Sequence, residues 1–398
     1  MMLFVATGLN FLDRQVLSIT IIKIQQEFNI SNIQYGFINT SFLISYGLMF
    51  TIGGRITEKF GAKIGMGFSV GIWSVACVLH GFTESFYHLL MVRFLLGIGE
   101  GGCFPGAAKA VNELFEKKNH AFANGVSIGG SAIGAVLAPP LTILISNLYG
   151  WRWGFIIPGV IGLVWLAIWV VIPWTKSIHY SPSSSVVGSK RSLMSILKNK
   201  ATLGFLLIRF LLDPVFYFIM FWIPKYLNEE KGISFTEIGK ILWIPFLALG
   251  LSNIAGGWLS DLLVRKGVTI NRARKYLMGI AALMTMVAVF IQGASSVHMA
   301  VGLMSMVMLG HGLWITNYIT AISDVFGSDG TSTVIGLSGT AGALAGLTLN
   351  PLIGYAIGNF GYQPLWLICG LMYPIAFVLL LVVVKRIGPS PLTFTAVP

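Results

Sequence analysis

Charge is scarce in this chain. Only 10% of its 398 residues are Asp, Glu, Lys or Arg, while 55% are hydrophobic. That leaves too little polar surface to coat a water-soluble globule, so the chain is expected in lipid. Acid is scarcer than base, 14 carboxylates against 26 Lys and Arg, for a formal charge of +12. The excess makes no nucleic-acid patch, because the cations fall in short clusters between apolar runs, which is the pattern of membrane topology. Cysteine is nearly absent, and Cys77, Cys103 and Cys369 fall inside apolar segments without metal-ligand spacing; they read as packing residues. No H-E-x-x-H motif or similar constellation marks an intramembrane enzyme. No cofactor, metal or nucleic acid is expected. No A-x-A-like site follows the first apolar run, which leads straight into Asp13 and Arg14, so no cleavable signal is expected.

What is present is a succession of apolar runs. A span needs about 20 largely apolar residues, so a chain of this length holds roughly twelve helices and no separate soluble domain. Punctuation by charge, Gly and Pro predicts helices at 2–24, 34–54, 63–82, 86–110, 121–147 and 152–173, then at 201–225, 236–259, 275–293, 297–323, 331–358 and 362–384. The longest polar stretch, rich in Ser (Ser181, Ser183, Ser184, Ser185) and in base (Lys190, Arg191), reads as a linker at 174–200 between bundles at 1–173 and 201–398. Ile30-Ser31, Gly36 and Gly53-Gly54 recur as Ile233-Ser234, Gly239 and Gly256-Gly257, all displaced by 203 residues. The predicted fold is an all-α membrane protein of two pseudo-symmetric six-helix bundles, the parallel-repeat plan of one large class of secondary transporters. Repeats with mid-membrane charges suit alternating access better than a continuous pore.

Orientation follows from Lys and Arg. With a cytoplasmic N-terminus, inner loops carry Arg55, Lys59, Lys63, Lys109, Lys117, Lys118, the linker cations, Arg265, Lys266, Arg272, Arg274, Lys275, Lys385 and Arg386, whereas outer loops carry only a few such as Lys23, Arg152 and Lys225. Both termini and the linker are expected inside, in the inner (plasma) membrane.

Loop sequences carry a resemblance. Gly54-Arg55-Ile56-Thr57-Glu58-Lys59-Phe60-Gly61-Ala62-Lys63, its counterpart Gly257-Trp258-Leu259-Ser260-Asp261 with Arg265-Lys266-Gly267, and the Gly150-Trp151-Arg152-Trp153-Gly154-Phe155 junction resemble the major facilitator superfamily over essentially the whole chain. Glu58 stands where Asp is usual; it and Asp261 become gating candidates. Leu12-Asp13-Arg14, Gly99-Glu100 with Phe104-Pro105, and Ala138-Pro139-Pro140 are similar to the anion:cation symporters, which include bacterial hexuronate and galactonate transporters. Arg209-Phe210-Leu211-Leu212-Asp213-Pro214 and Ser323-Asp324-Val325-Phe326-Gly327 look most like the hexuronate branch. Ser131 and Ala343 stand where galactonate-type proteins carry an amide, and Phe11 replaces a frequent Tyr. The chain starts at Met1-Met2 without the family's usual basic lead-in, so a native start upstream is expected. The resemblance implies a monomeric importer of a small organic anion such as a sugar acid, coupled to protons. The alternatives are a proton-independent facilitator or exchanger, or a sodium-coupled carrier of an aldarate or aromatic acid.

Ionisable groups inside a span cost several kcal/mol unless paired or hydrated, so each needs a partner and a reason. Counting at 1.5 Å per residue puts Asp13, Glu100, Asp213 and His311 at similar depth, about halfway across. Arg14 is the first candidate for substrate binding, since a guanidinium grips a carboxylate with two hydrogen bonds and stays charged; the bland reading is a buried ion pair with a neighbouring carboxylate. Asp13 and Arg14 point about 100° apart, so each must look to another helix. Asp13 and Glu100 are the proton-coupling candidates, because a desolvated carboxylate can load and release a proton in the cellular pH range; the alternative is a Glu that only pins helices. Arg93, two turns before Glu100, could bias it or act in a gate. Tyr46, Ser131, Arg209, His311, Asn317 and Tyr318 complete the candidate substrate site, with an Arg209–Asp213 intrahelical bridge and a packed His311 as the bland readings. Gly125, Gly129, Gly130 and Gly134, with Gly336, Gly339, Gly342 and Gly346 in the second half, are expected to let helices approach closely.

Overall fold

In the computed structural model, residues 1–115, 119–173, 193–327 and 330–388 are described. Residues 174–192 of the predicted 174–200 linker, Ser184 among them, and the cations Lys117 and Lys118 lie outside them. Among the described residues, twelve long helices follow one another: α1 Met2–Phe28, α2 Asn32–Phe60, α3 Ala62–His80, α4 Phe86–Leu114, α5 His120–Tyr149, α6 Trp153–Val171, α7 Lys200–Glu229, α8 Phe235–Arg265, α9 Ile270–Phe290, α10 Val297–Phe326, α11 Thr331–Phe360 and α12 Gln363–Val383. A five-residue helix, Leu193–Leu197, precedes α7. Eleven of the described helices are long and apolar enough to cross a membrane by length and composition alone. The exception is α1, which buries Asn10, Asp13, Arg14 and Gln15. In lipid every backbone group must be satisfied within the chain, which leaves helices as the form these runs can take.

Several helices outrun their predicted limits: α1 reaches Phe28 instead of 24, α2 reaches Phe60 instead of 54, and α9 starts at Ile270 instead of 275. An apolar run stops at the first charge, but Lys, Arg and Glu are good helix formers and carry the helix on into the interface. The true ends are capping signals. Asn29 takes the left-handed conformation after α1 (φ 52), and Gly61 closes α2 at φ 86. The sequence repeat proves to be a repeated cap: Ser31 with Gln34 opens α2 by a reciprocal capping box, and Ser234 with Glu237 opens α8 in the same way.

The helix-5 glycine run splits by role. A Cβ on Gly134 would meet the Gly8 Cα at 2.9 Å, and one on Gly130 would meet the Phe4 carbonyl carbon at 2.8 Å, so α5 lies backbone to backbone on α1. Gly125 and Gly129 have nothing within 4 Å, and neither do Gly336 and Gly339 in α11. The expectation of close approach therefore fails at those four.

Two compact units emerge. The first joins the N-terminal part of the chain to Tyr217–Leu247 and Ala343–Tyr362. Within it, the end at which α1 passes into α2 is stitched to parts of α7, α8 and α11: Tyr35 donates to the Phe221 carbonyl (2.6 Å), Asn147 to the Thr236 hydroxyl (3.0 Å) and Thr40 to the Leu347 carbonyl (3.1 Å). The second unit holds Ala248–Gly342 and the chain from Gln363 onward. Its loop-end hub is Arg274, which pairs with Asp324 at 3.0 Å, reaches Asp261 at 3.7 Å and hydrogen-bonds Ser260.

Candidate functional site

Four charged groups meet inside the first unit. Arg14 donates from Nε (3.0 Å) and Nη2 (2.9 Å) to a single oxygen, Oε2 of Glu100, tying α1 to α4. Its guanidinium also donates to the Asn10 side-chain amide oxygen at 3.4 Å and lies over the rings of Tyr46, Phe11 and Phe42 at 4.6, 5.0 and 5.2 Å. Arg93 also lies over Phe42, 5.7 Å from its centroid, and donates to the Arg14 backbone carbonyl at 3.4 Å. Asp13 is fully buried beside the Cys77 thiol, which itself donates to the Phe155 carbonyl at 3.2 Å.

The arrangement balances charge but not hydrogen bonds. Two guanidiniums face two carboxylates, so the formal charges cancel. Yet Oε1 of Glu100, both Asp13 oxygens, Nε of Arg93 and Nδ2 of Asn10 are buried without a hydrogen-bonding partner. Buried polar atoms are normally satisfied, and a cluster of exceptions marks a site poised for another arrangement or a ligand. Phe11 and Tyr46 are only partly buried, so the aromatic cover over Arg14 is where the site opens.

The helix sequence explains this placement. Asp13 and Arg14 are adjacent on α1 and therefore diverge by about 100°. Arg14 turns to α4 and Asp13 to α3, where Cys77 lies. The glycines around Glu100 in sequence, Gly97, Gly99, Gly101 and Gly102, let α4 lie close on α2 and α3: a Cβ on Gly99 would lie 2.8 Å from the Trp73 Cα and one on Gly101 2.8 Å from the Met49 Cβ.

The remaining candidates are scattered. Arg209 pairs with Asp213 one turn along α7, at 2.5 Å. His311 hydrogen-bonds the Tyr373 hydroxyl and stacks on Phe216 at 4.6 Å. The Asn317 amide donates to the Leu313 (2.9 Å) and Gly256 (3.3 Å) carbonyls, and the Tyr318 hydroxyl to the Phe205 carbonyl (2.7 Å). Ser131 returns its hydroxyl to the Ile128 carbonyl at 2.6 Å. Glu58 is exposed at the end of α2, and Asp261 belongs to the Arg274 hub. Sequence reasoning missed Arg274 as a hub, Tyr373 and Phe216 around His311, and Cys77 beside Asp13. Only for Cys77 was a signal available: a thiol, which can donate a weak hydrogen bond, inside an apolar run.

Known proteins match this chain along most of its length. A family model described as Major Facilitator Superfamily matches residues 3–349. The chain belongs to the major facilitator superfamily. Within it, the chain is 26% identical over 428 residues to the D-galactonate transporter of Escherichia coli O6:H1 (97% of this chain, 96% of that protein). It is 29% identical over 372 residues to the hexuronate transporter of Bacillus subtilis strain 168 (90% and 87%). Among solved structures, a bacterial homologue of the human lysosomal transporter Spinster, in an inward-facing and occupied conformation, superposes with a TM-score of 0.78 at 18% identity over 97% of this chain and 96% of that one. A D-xylose-proton symporter superposes with a TM-score of 0.75 at 18% identity over 94% and 95%. These likenesses establish the major facilitator fold, and the chain is a multi-pass membrane transporter and not an enzyme.

Proposed function

We propose that this transporter imports a small sugar acid, a hexuronate or hexonate, together with protons, by alternating access of two six-helix bundles in the inner membrane with both termini cytoplasmic. The observation that carries the reading is the Arg14–Glu100 pair. The guanidinium already holds a carboxylate through Nε and Nη2, both on one oxygen, and a substrate carboxylate that offered each its own oxygen would complete the bidentate fork. Glu100 and the substrate are thus rivals for one cation. Protonating Glu100 removes the charge that holds Arg14, and the freed guanidinium can take the substrate. Substrate bound to Arg14 in turn favours the protonated Glu100, so each ligand raises the affinity of the other. Asp13, buried without a donor to either oxygen, is the second proton carrier, since a buried ionised carboxylate with no partner costs several kcal/mol. The names of the relatives, D-galactonate and hexuronate transporters, support the substrate class.

A monoanion carried with one proton moves no net charge. With a proton on each of Asp13 and Glu100 the cycle carries one positive charge inward, adding about 2.3 kcal/mol per 100 mV of membrane potential. The test is uptake of a radiolabelled panel of sugar acids by proteoliposomes, with and without an imposed pH gradient. Accumulation of a hexuronate or hexonate that collapses with the gradient supports the reading. Equal uptake without a gradient makes the protein a facilitator, and dependence on sodium makes it a different symporter. Labelling of a cysteine introduced at Ser184 by an impermeant reagent from outside intact cells would reverse the proposed topology.

A further inference from the structure

A second polar cavity lies apart from the Arg14 cluster. At the end where α1 passes into α2 and α7 into α8, a cavity of about 360 Å³ is lined by Gln25, Gln26, Asn32, Lys225, Asn228 and Glu229 among others. Its volume falls in the range of small-molecule sites. At its wall Lys225 is 94% buried. The ammonium donates to the Gln25 amide oxygen at 2.6 Å and to the Glu229 carboxylate at 2.5 Å. A lysine has three N–H donors, so one is left for a ligand oxygen. The amides around it are partly committed: Gln25 Nε2 donates to the Ile30 carbonyl and to Asn32 Oδ1, and Asn228 Nδ2 to the Ile233 carbonyl. That leaves the Asn32 amino group, the Asn228 carbonyl and the Gln26 amide. Donors and acceptors so mixed suit hydroxyl groups, each of which both gives and accepts a hydrogen bond.

We infer that this cavity is a docking site for an incoming polyhydroxy acid, with Lys225 taking its carboxylate and the amides its hydroxyls before the substrate reaches Arg14. The inference rests on the reading of a sugar-acid importer with this end outside. Glu229 is the obstacle, since its carboxylate occupies the same cation. It is also the partner free to move, because its side chain is 40% exposed against 7% for Lys225. Tyr362 donates a second hydrogen bond to it at 2.7 Å. Burial and the neighbouring Glu229 charge push the Tyr362 phenol above its ordinary range, so it remains a donor. A ligand carboxylate can therefore displace Glu229 from Lys225 while Tyr362 keeps hold of Glu229.

The alternative is that Lys225–Glu229 is only a latch, and substitutions at the two residues separate the two ideas. If the cavity docks the anion, Lys225→Gln removes the attraction and Glu229→Gln removes a competitor, with opposite effects. If the pair is only a latch, both substitutions break it and act alike. The measurement is the KM for a transported sugar acid from the outer face divided by that from the inner face, in right-side-out and inside-out vesicles. Docking predicts that Lys225→Gln raises this ratio about tenfold, that Glu229→Gln lowers it about threefold, and that Lys225→Arg stays within about twofold of the native chain. Shifts in the same direction for Lys225→Gln and Glu229→Gln, or no shift in either, overturn the docking site while leaving the importer reading intact. Failure of the native chain to transport any sugar acid overturns that reading itself, and the docking site with it.

Discussion

The two halves of the chain hold their intramembrane arginines in different ways. In the first half Arg14 reaches from α1 to Glu100 on α4, so its ion pair spans two helices. In the second half Arg209 pairs with Asp213 on the same helix, one turn away. A pair within one helix travels with that helix and survives any rigid movement of it. A pair between helices is broken, kept or exchanged according to what the helices and their ligands do. Under the proposed mechanism, coupling would belong in the half where partners can be exchanged, and the second half would be left to orient the substrate. The glycines repeat the contrast. Gly134 lets α5 lie on the backbone of α1, whereas a Cβ on Gly342 would come 2.5 Å from Cγ of the Asp213 carboxyl group.

The largest expected effect is at Arg14. Arg14→Ala should weaken substrate binding by about 2–5 kcal/mol, and Arg14→Lys should not restore it, since an ammonium lacks the planar fork. Arg209→Lys keeps a cation one turn from Asp213 and should cost less than about 1.4 kcal/mol, or tenfold. Titrating substrate binding to the three purified variants measures all of this, and equal losses from Arg14→Lys and Arg209→Lys would erase the contrast between the halves.

Packing comes next in size. Gly134→Ala drives a methyl group into the α1 backbone, which cannot yield, and should destabilise by about 1–3 kcal/mol or more. Gly342→Ala meets a side chain that can rotate, so it should cost less stability than Gly134→Ala while disturbing the Arg209–Asp213 pair. Gly129→Ala has open space and should be neutral or stabilise by up to about 1 kcal/mol through helix propensity. Thermal unfolding in detergent ranks the three; a neutral Gly134→Ala would contradict the α1–α5 contact.

The smallest effects test a feature the halves share. Trp151 donates to Glu27 at 2.7 Å just after α5, and Tyr362 donates to Glu229 at 2.7 Å just after α11. Each aromatic follows a positive-φ glycine, Gly150 or Gly361, and each acid lies at or next to the end of its helix. Trp151→Phe and Tyr362→Phe should each cost about 0.5–1.5 kcal/mol, because both carboxylates are partly exposed. Costs differing by more than about twofold in chemical unfolding would show that the repeat does not extend to these clamps.

Much of the architecture could be read without the structure, for physical reasons. Apolar runs separated by charge must become helices in lipid, and the offset between Ser31 and Ser234 marked a repeat before it was seen to be a repeated cap. That Asp13, Arg14, Arg93 and Glu100 lie in the apolar depth was equally legible, since a charge in a long apolar run has nowhere else to be. Which of them meet was not. Pairing depends on how helices rotate against each other, and that is set by contacts such as Gly134 on Gly8, distant in sequence. The same limit hid the His311–Tyr373 hydrogen bond and the Arg274 hub, and it made Gly125 and Gly129 look like Gly130 and Gly134. A single helix likewise gave no hint that Lys225 and Gln25, 200 residues apart, share a cavity.

In the proposed mechanism, Glu100 and substrate exchange places on Arg14 under the control of a proton. Glu100→Gln tests it most directly, because the amide keeps the shape and hydrogen-bonding capacity of a protonated acid and cannot release the proton. Counterflow and gradient-driven uptake should be measured on the same proteoliposomes, with Asp13→Asn in parallel. The account predicts that Glu100→Gln still exchanges labelled sugar acid across the membrane but fails to concentrate it when a pH gradient is imposed. If Glu100→Gln and Asp13→Asn both still concentrate substrate in response to that gradient, neither carboxylate couples the proton and the exchange on Arg14 is not the mechanism.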